Sequence, residues 1–299
     1  MQHLIVFVLM NAFTIKDIEN LSGVKAHTIR IWEQRYNFLK PSRTDTNIRY
    51  YSNEELKVIL NIALLNKFGY KISHINKMDH EEIHSKLRSL SHQQAQQERI
   101  INELISLMVD LEIDGFEDLV DIQIREKGVD KIINEIIFPF LEKIGLLWVT
   151  NNINPAQEHL VTNIIRQKLI VGIETALSRI RSNKVALLFL PEGQFHELGL
   201  LYVYYLLKNN GVKVLYLGAD VPISDLHFIV KAKKPDYVYS HITAVANNFN
   251  IERFINNLHS KITDIPVVIS GPLTVTYKKM MPANFNFLRS LEEVKEFVS

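Results

Sequence analysis

Residues 185–199 read Val185-Ala-Leu-Leu-Phe-Leu-Pro-Glu-Gly-Gln194-Phe-His196-Glu-Leu-Gly199, and this stretch decides the fold of the C-terminal half. The six apolar residues 185–190 have the length and continuity of a strand buried on both faces. Leu200–Leu207 follows as a helix. Between them His196 falls in the loop at the carboxyl end of the first strand of an α/β unit, where open sheets bind ligands. Three residues on, Gly199 lets something large approach the backbone. An imidazole so placed can ligate a metal, and a helix-start histidine satisfied by backbone is the plainer alternative.

Outward from that loop, residues beyond Arg181 alternate strand and helix. Strands are expected at 184–190, 213–218, 236–242, 266–271 and 285–289, and helices at 196–209, 223–233, 247–261 and 291–298. Such alternation makes a parallel, doubly wound sheet over 182–299. A dinucleotide fingerprint, a Walker motif, G-x-S-x-G and H-E-x-x-H are all missing from the sequence, which argues against the chemistries those motifs carry.

Residues 98–181 carry helical periodicity throughout, with stripes at Ile100–Leu111, Phe116–Ile124, Val129–Leu147 and Ala156–Ile180. Four helices on short connections make a bundle. Pro155 suits a first helical turn. It places Glu158 and His159 near a helix N-terminus, facing the loop that carries Trp148. Taken alone, a tryptophan at a helix end reads as core, and a glutamate in a first turn as a partner of the helix dipole. Residues 79–97 are polar and are expected to form a linker or an exposed helix start.

Before the linker, residues 12–78 have a different pattern. Ile15, Ile18 and Leu21 form a helical stripe opened by Thr14 as N-cap. Ser22-Gly23-Val24 is a turn, and Ala26–Tyr36 a second helix. This is a helix-turn-helix with its recognition helix second. Residues 39–52 form a loop or ribbon whose Arg and Tyr side chains suit phosphate. Asn53–Lys67 and residues 71–78 give two more helices. Trp32 is read as core and Glu33 as an exposed or helix-pairing charge.

The chain has 299 residues and a net charge of +1, with 11 Lys/Arg against 6 Asp/Glu over residues 1–78. That N-terminal excess suggests a polyanionic partner. Zero cysteines remove disulfides, thiolate zinc sites and cysteine nucleophiles. Met1–Met10 is apolar yet too short to span a bilayer, and it lacks the features of a signal peptide. It is read as an early start ahead of Met10, or as an added element on the first domain. With no longer apolar run, a cytoplasmic location is expected.

Three groups of residues carry a family resemblance. Phe13-Thr14-Ile15, Ser22-Gly23-Val24, Thr28-Ile29-Arg30, Trp32-Glu33, Arg35-Tyr36 and Arg43…Asn47-x-Arg49-x-Tyr51-Ser52 resemble the MerR family of transcription regulators. That resemblance implies a winged module dimerising on a two-fold, double-stranded DNA operator. Its contacts would come from Thr28, Arg30, Arg35, Tyr36, Arg43, Asn47, Arg49 and Tyr50. Gln194-x-His196-x-x-Gly199, Ser240-x-Ile242 and Ser270-Gly271 resemble a cobalamin-binding module, which implies that the sheet over 182–299 is flavodoxin-like and that the bundle over 98–181 caps it. Trp148, with Glu158-His159 ten residues on, resembles the photoreceptor-like MerR subgroup called CarH or LitR.

The resemblance implies the following roles. His196 would ligate cobalt from below. Gly199 would admit the tail of the displaced base, Ser240 and Thr243 would bond that base, and Ser270 and Gly271 would line the tail. Trp148, Glu158 and His159 would meet the upper axial group, an adenosyl in the subgroup. The sequence departs from the pattern at three places. Gln194 stands where a carboxylate orients the ligating histidine, Val149 stands where some members have a second histidine, and the glycine pair is reduced to Ser270-Gly271.

The expected protein is therefore a cobalamin-responsive repressor, light-responsive in some members of the subgroup and working as a dimer or tetramer, with no catalytic residues. One alternative keeps DNA binding and makes the C-terminal half a degenerate scaffold for protein contacts. The other, a corrinoid carrier or transferase, gives the winged module no role.

Overall fold

The computed structural model describes residues 12–36, 38–149, 153–178, 182–243 and 249–299, with backbone alone at 148 and 149. Met1–Met10, expected as an early start or an added element, lies outside the described residues. The chain divides into two compact units, residues 1–164 and 165–299.

In the first unit β1 (Phe13–Thr14), β2 (Ser42–Arg43) and β3 (Arg49–Tyr51) form a small antiparallel sheet in the order β1-β3-β2. Thr14 caps α1 (Ile15–Ser22) through a reciprocal pair with Asp17, and Gly23 ends it in the left-handed conformation. The recognition helix α2 (Ala26–Arg35) buries Ile29 and Trp32. Ser52 and Glu55 form a second capping box for α3 (Asn53–Lys67), and α4 (Ile72–Ile75) follows.

The stretch 79–97, expected as a linker or an exposed helix start, is largely helical. Asp79 caps α5 (His80–Ser89) by a pair with Glu82, and α6 (Gln93–Asp110) begins before the polar run has ended. Polarity misleads here because α5 buries Leu87 and little else. Then come α7 (Ile113–Lys127), α8 (Val129–Ile132) and α9 (Phe138–Val149), the last two joined by a π-helical turn, Ile133–Ile137. That wide turn precedes Pro139, whose ring presses on the carbonyl four residues back and which has no N–H to offer it. The last of these helices, α10 (Pro155–Thr175), runs across the divide into the second unit.

The second unit is a five-stranded parallel sheet, ordered β5-β4-β6-β7-β8, of β4 (Val185–Pro191), β5 (Lys213–Val221), β6 (Tyr237–His241), β7 (Val267–Ser270) and β8 (Phe285–Leu288). The parallel sheet agrees with the alternation, and its order is that of the flavodoxin-like sheet the family resemblance implies. The central strands are buried along their length, which is why they read as unbroken apolar runs. On one face Leu187, Phe189, Val238 and Ile269 pack with α12 (Ile223–Lys233) and α13 (Ile251–Lys261) through Leu226, Val230, Phe254 and Leu258. The other face is covered by α11 (Leu198–Asn209) and α15 (Leu291–Val298), where Phe297 meets the rings of Tyr237 and Tyr239. The short α14 (Pro272–Thr276) leaves the end of β7.

Candidate functional site

In the first unit the expected nucleic-acid contacts divide into two groups. Arg30 and Arg35 stand exposed on α2 and make no ion pair among the described residues. They are available to phosphate. Thr28 and Tyr50 are half-buried, and Tyr36 stacks on Phe38 at 5.7 Å with the rings 8° apart. Arg43 donates to Asn47 Oδ1 at 2.6 Å, which fixes the wing turn where Asn47 has φ 66°.

Arg49 is engaged differently. Its Nε lies 2.9 Å from Glu33 Oε2, and Tyr51 donates its hydroxyl to the other oxygen of the same carboxylate. Glu33, expected as an exposed or helix-pairing charge, is a nearly enclosed anchor that joins recognition helix to wing rather than pairing within its helix. Burial and the adjacent carboxylate hold the Tyr51 phenol above its ordinary range.

A second network ties this module to the helices that follow. Lys143 on α9 donates to the Leu21 carbonyl at 3.0 Å and reaches Asn102 Oδ1 at 3.4 Å. Asn102 on α6 donates to the Leu60 carbonyl of α3 at 3.4 Å. Burial holds the Lys143 ammonium below its ordinary pKa. Of the expected upper-face residues, Glu158 and His159 pair with each other, Oε2 to Nδ1 at 3.1 Å, with His159 largely exposed. The side chain of Trp148 lies outside the described residues.

In the second unit the loop after β4 is held by backbone. Gln194 N–H donates to the Pro191 carbonyl at 2.9 Å and its own carbonyl accepts from Asp220 N–H at 3.1 Å. The Asp220 carboxylate accepts from Gly193 N–H at 2.8 Å. On this fixed loop His196 is exposed, with no side-chain hydrogen bond among the described residues. Gln194 is buried and its Nε2 has no partner among the described residues, so it does not orient His196 here. Glu192 is exposed. The neighbouring Glu197 is firmly held: Arg166 of α10 lies 2.5 Å from Oε1, and Tyr216 of β5 donates to Oε2 at 2.7 Å.

The remaining expected residues surround the ends of β6 and β7. An added Cβ on Gly199 would land on Cδ2 and Nε2 of His241 and lie 3.0 Å from its Cγ. The His241 Nδ1 is 2.8 Å from Ser270 Oγ, which also accepts from the Tyr239 hydroxyl at 2.7 Å. Loss of solvent pushes the His241 pKa down to about 4, so the ring is neutral near pH 7. An added Cβ on Gly271 would collide with the Ile242 carbonyl. Ser240 Oγ is fully buried without a partner, and Thr243 is exposed.

Sequence reasoning passed over His241, Tyr239, Glu197, Tyr216, Arg166 and Lys143. His241 was within reach, since it stands between Ser240 and Ile242. The others depend on pairings across distant segments that no local pattern announces.

The loop and strand ends fit a cofactor that would take one imidazole and buried polar partners. Among the described residues His196 makes no side-chain hydrogen bond, and Gln194 Nε2 and Ser240 Oγ are two enclosed atoms that lack a partner. Comparison with known proteins agrees. Residues 13–82 match the profile of the MerR HTH family of regulatory proteins, and residues 100–171 and 185–288 each match a B12 binding domain. The chain is 30% identical over 263 residues to the HTH-type transcriptional repressor CarA of Myxococcus xanthus, covering 86% of this chain and 85% of that protein. It is 28% identical over 267 residues to the repressor CarH of the same organism, covering 87% and 88%. In fold, it is similar to the monomethylamine corrinoid protein of Methanosarcina barkeri, with a TM-score of 0.51, 16% identity, and coverage of 67% of this chain and 97% of that one.

Proposed function

The chain belongs to the family of MerR-type transcriptional repressors with B12-binding domains, and from that premise we propose that it is a DNA-binding regulator whose operator affinity is set by a bound cobalamin, adenosylcobalamin foremost. The observation that carries this reading is His196, an exposed imidazole without a partner, on a loop whose backbone is pinned at the carboxyl end of β4.

When bound, the cofactor would supply a cobalt centre and an organic group on it that light can remove. The chain's own residues do the rest. His196 would offer a ring nitrogen to the cobalt. Gln194, in place of a carboxylate, brings no charge to polarise that imidazole, so the ligand is weaker than a carboxylate-backed one. Glu197, locked by Arg166 and Tyr216, fixes the backbone next to His196. Ser240 and Thr243 are assigned to the displaced base, Gly199, Ser270 and Gly271 to its tail, and Trp148, Glu158 and His159 to the upper group. With valine at 149, a second protein imidazole does not follow Trp148. On DNA, Arg30 and Arg35 contact phosphate, and Thr28, Tyr36, Arg43, Asn47 and Tyr50 complete the surface. Assembly of two or more copies would raise operator affinity by multivalency.

The test is an absorbance titration of the full chain with adenosylcobalamin in the dark. A bound spectrum that His196→Ala converts toward that of the free cofactor is expected. A spectrum identical in both proteins, with no retention of cofactor on gel filtration, refutes cobalamin ligation.

A second reading, a cofactor-free scaffold acting through protein contacts, draws on the enclosure of Gly199 by His241 and the internal bonding of Ser270. It predicts normal regulation by His196→Ala in cells.

A further inference from the structure

One of the chain's own side chains fills the space above Gly199. Strand β6 ends at His241, whose ring lies so close to Gly199 that no side chain fits beneath it. The ring is pinned from the other side: Tyr239 donates to Ser270 Oγ, and Ser270 Oγ is 2.8 Å from His241 Nδ1. A serine hydroxyl that accepts from the tyrosine still has its own proton to donate, which the neutral imidazole nitrogen can accept. Beside this closed chain of bonds sits an open one. Ser240, the preceding residue, buries its hydroxyl with no partner among the described residues, and the Gln194 amide nitrogen is buried in the same state. Native interiors rarely leave such atoms unpaired unless something else completes them.

We propose that His241 is a built-in occupant of the route that a corrinoid's nucleotide tail would take over Gly199, so that this chain discriminates between corrinoids that carry a lower base and those that lack one. The inference rests on the cofactor reading above. An imidazole that leaves no room for even a methyl group on Gly199 leaves none for the tail, so ring and tail cannot both lie against that glycine. A base-bearing corrinoid must break the His241–Ser270 bond and move the ring. A corrinoid truncated before the nucleotide leaves the ring in place and meets no such competition. His241 is thus a specificity-determining residue, one that acts by exclusion.

The experiment compares hydroxocobalamin with diaquocobinamide, which lacks the nucleotide, by absorbance titration of the full chain. In His241→Ala the ratio of the two dissociation constants should shift at least tenfold toward cobalamin relative to the parent. Ser270→Ala, which keeps the ring but removes its anchor, should shift it the same way by less. Histidine side-chain NMR supplies an independent readout: the His241 ring signals should move on adding cobalamin and stay on adding cobinamide. Melting curves show whether the variants are folded, and Ser270→Ala carries the comparison if His241→Ala is not. If the parent binds both corrinoids and the ratio is the same within twofold in the folded variants, the inference falls while the cofactor reading stands. Equal movement of the ring signals with both corrinoids also overturns it. Failure of both to bind any of the proteins overturns the inference together with the cofactor reading.

Discussion

Arg49 on the wing and Glu33 on the recognition helix are bonded to each other, Nε to Oε2 at 2.9 Å, with Tyr51 donating to the same carboxylate. The wing arginine therefore sets the angle between two DNA-facing elements. Glu33→Gln keeps the shape and removes the charge, leaving a nearly enclosed Arg49–Tyr51 pair with a weaker acceptor. Urea unfolding should show a loss of about 1–3 kcal/mol, the usual range for a hydrogen bond to a charged group. An unchanged midpoint would mean that the clamp contributes nothing.

Arg30 and Arg35 have no competing partner among the described residues. Each should release about one counterion on binding duplex DNA. Single alanine variants should therefore lower the slope of log affinity against log salt by about 1. Arg49→Ala should instead lower stability, with a smaller change in slope. Fluorescence anisotropy with a labelled duplex from the region upstream of the gene, at several salt concentrations, measures both.

Gly199→Ala places a methyl group inside the His241 ring. Overpacking of this kind costs about 1–3 kcal/mol. Because the clash involves one partner, His241→Ala should relieve it. The double variant should then be more stable than the two single changes add up to, by about 1 kcal/mol or more. Strict additivity in chemical denaturation would show that the two residues do not touch.

His241 also gives the acid stability a testable shape. Its folded pKa is about 4, lowered by burial, against about 6.5 in an unfolded chain. Between these values the unfolded state binds a proton that the folded state does not. The contribution is complete above about pH 6.5 and is lost as pH falls toward 4, by on the order of 2 kcal/mol. His241→Asn should flatten the stability profile in that window. A profile parallel to that of the parent would exclude a buried neutral ring.

Lys143 works in the opposite pH range. Burial lowers its pKa, so at neutral pH the fold carries a charged ammonium at a cost. As pH rises through the folded pKa toward the unfolded value, the folded state gives up its proton first and stability rises. Lys143→Met should remove that rise, with a change at pH 7 of less than about 1.5 kcal/mol, because replacing a buried charge by an apolar chain is commonly tolerated. Thermal melts between pH 7 and pH 9.5 decide it, below the range where the tyrosines titrate.

Much of this molecule is legible in its sequence because its elements are locally encoded. The caps at Thr14 and Ser52, the turn at Gly23 and the unbroken apolar runs of β4, β6 and β7 each depend on neighbours a few residues away. The parallel, doubly wound sheet followed from the alternation, and its flavodoxin-like form from the family resemblance. Over residues 79–97 a linker and an exposed helix start could not be told apart, because a helix packed on one narrow stripe needs few apolar residues. The partners of Glu33 were out of reach for a related reason: its enclosure comes from Arg49 and Tyr51, 16 and 18 positions away. His196 could be found by motif. That His241 takes the space over Gly199 could not, because the contact joins a strand end to a helix start 42 residues earlier.

The bonds from Lys143 to Leu21 and from Asn102 to Leu60 bear on how this protein can be taken apart. A fragment cut after residue 78 would carry away α1 and α3 without the helices that close over them. The Leu21 and Leu60 carbonyls and the apolar side of α3 would face water, inviting self-association. The reader of DNA is therefore not a detachable head: it should melt in one cooperative step with α6 and α9, as a single foldon.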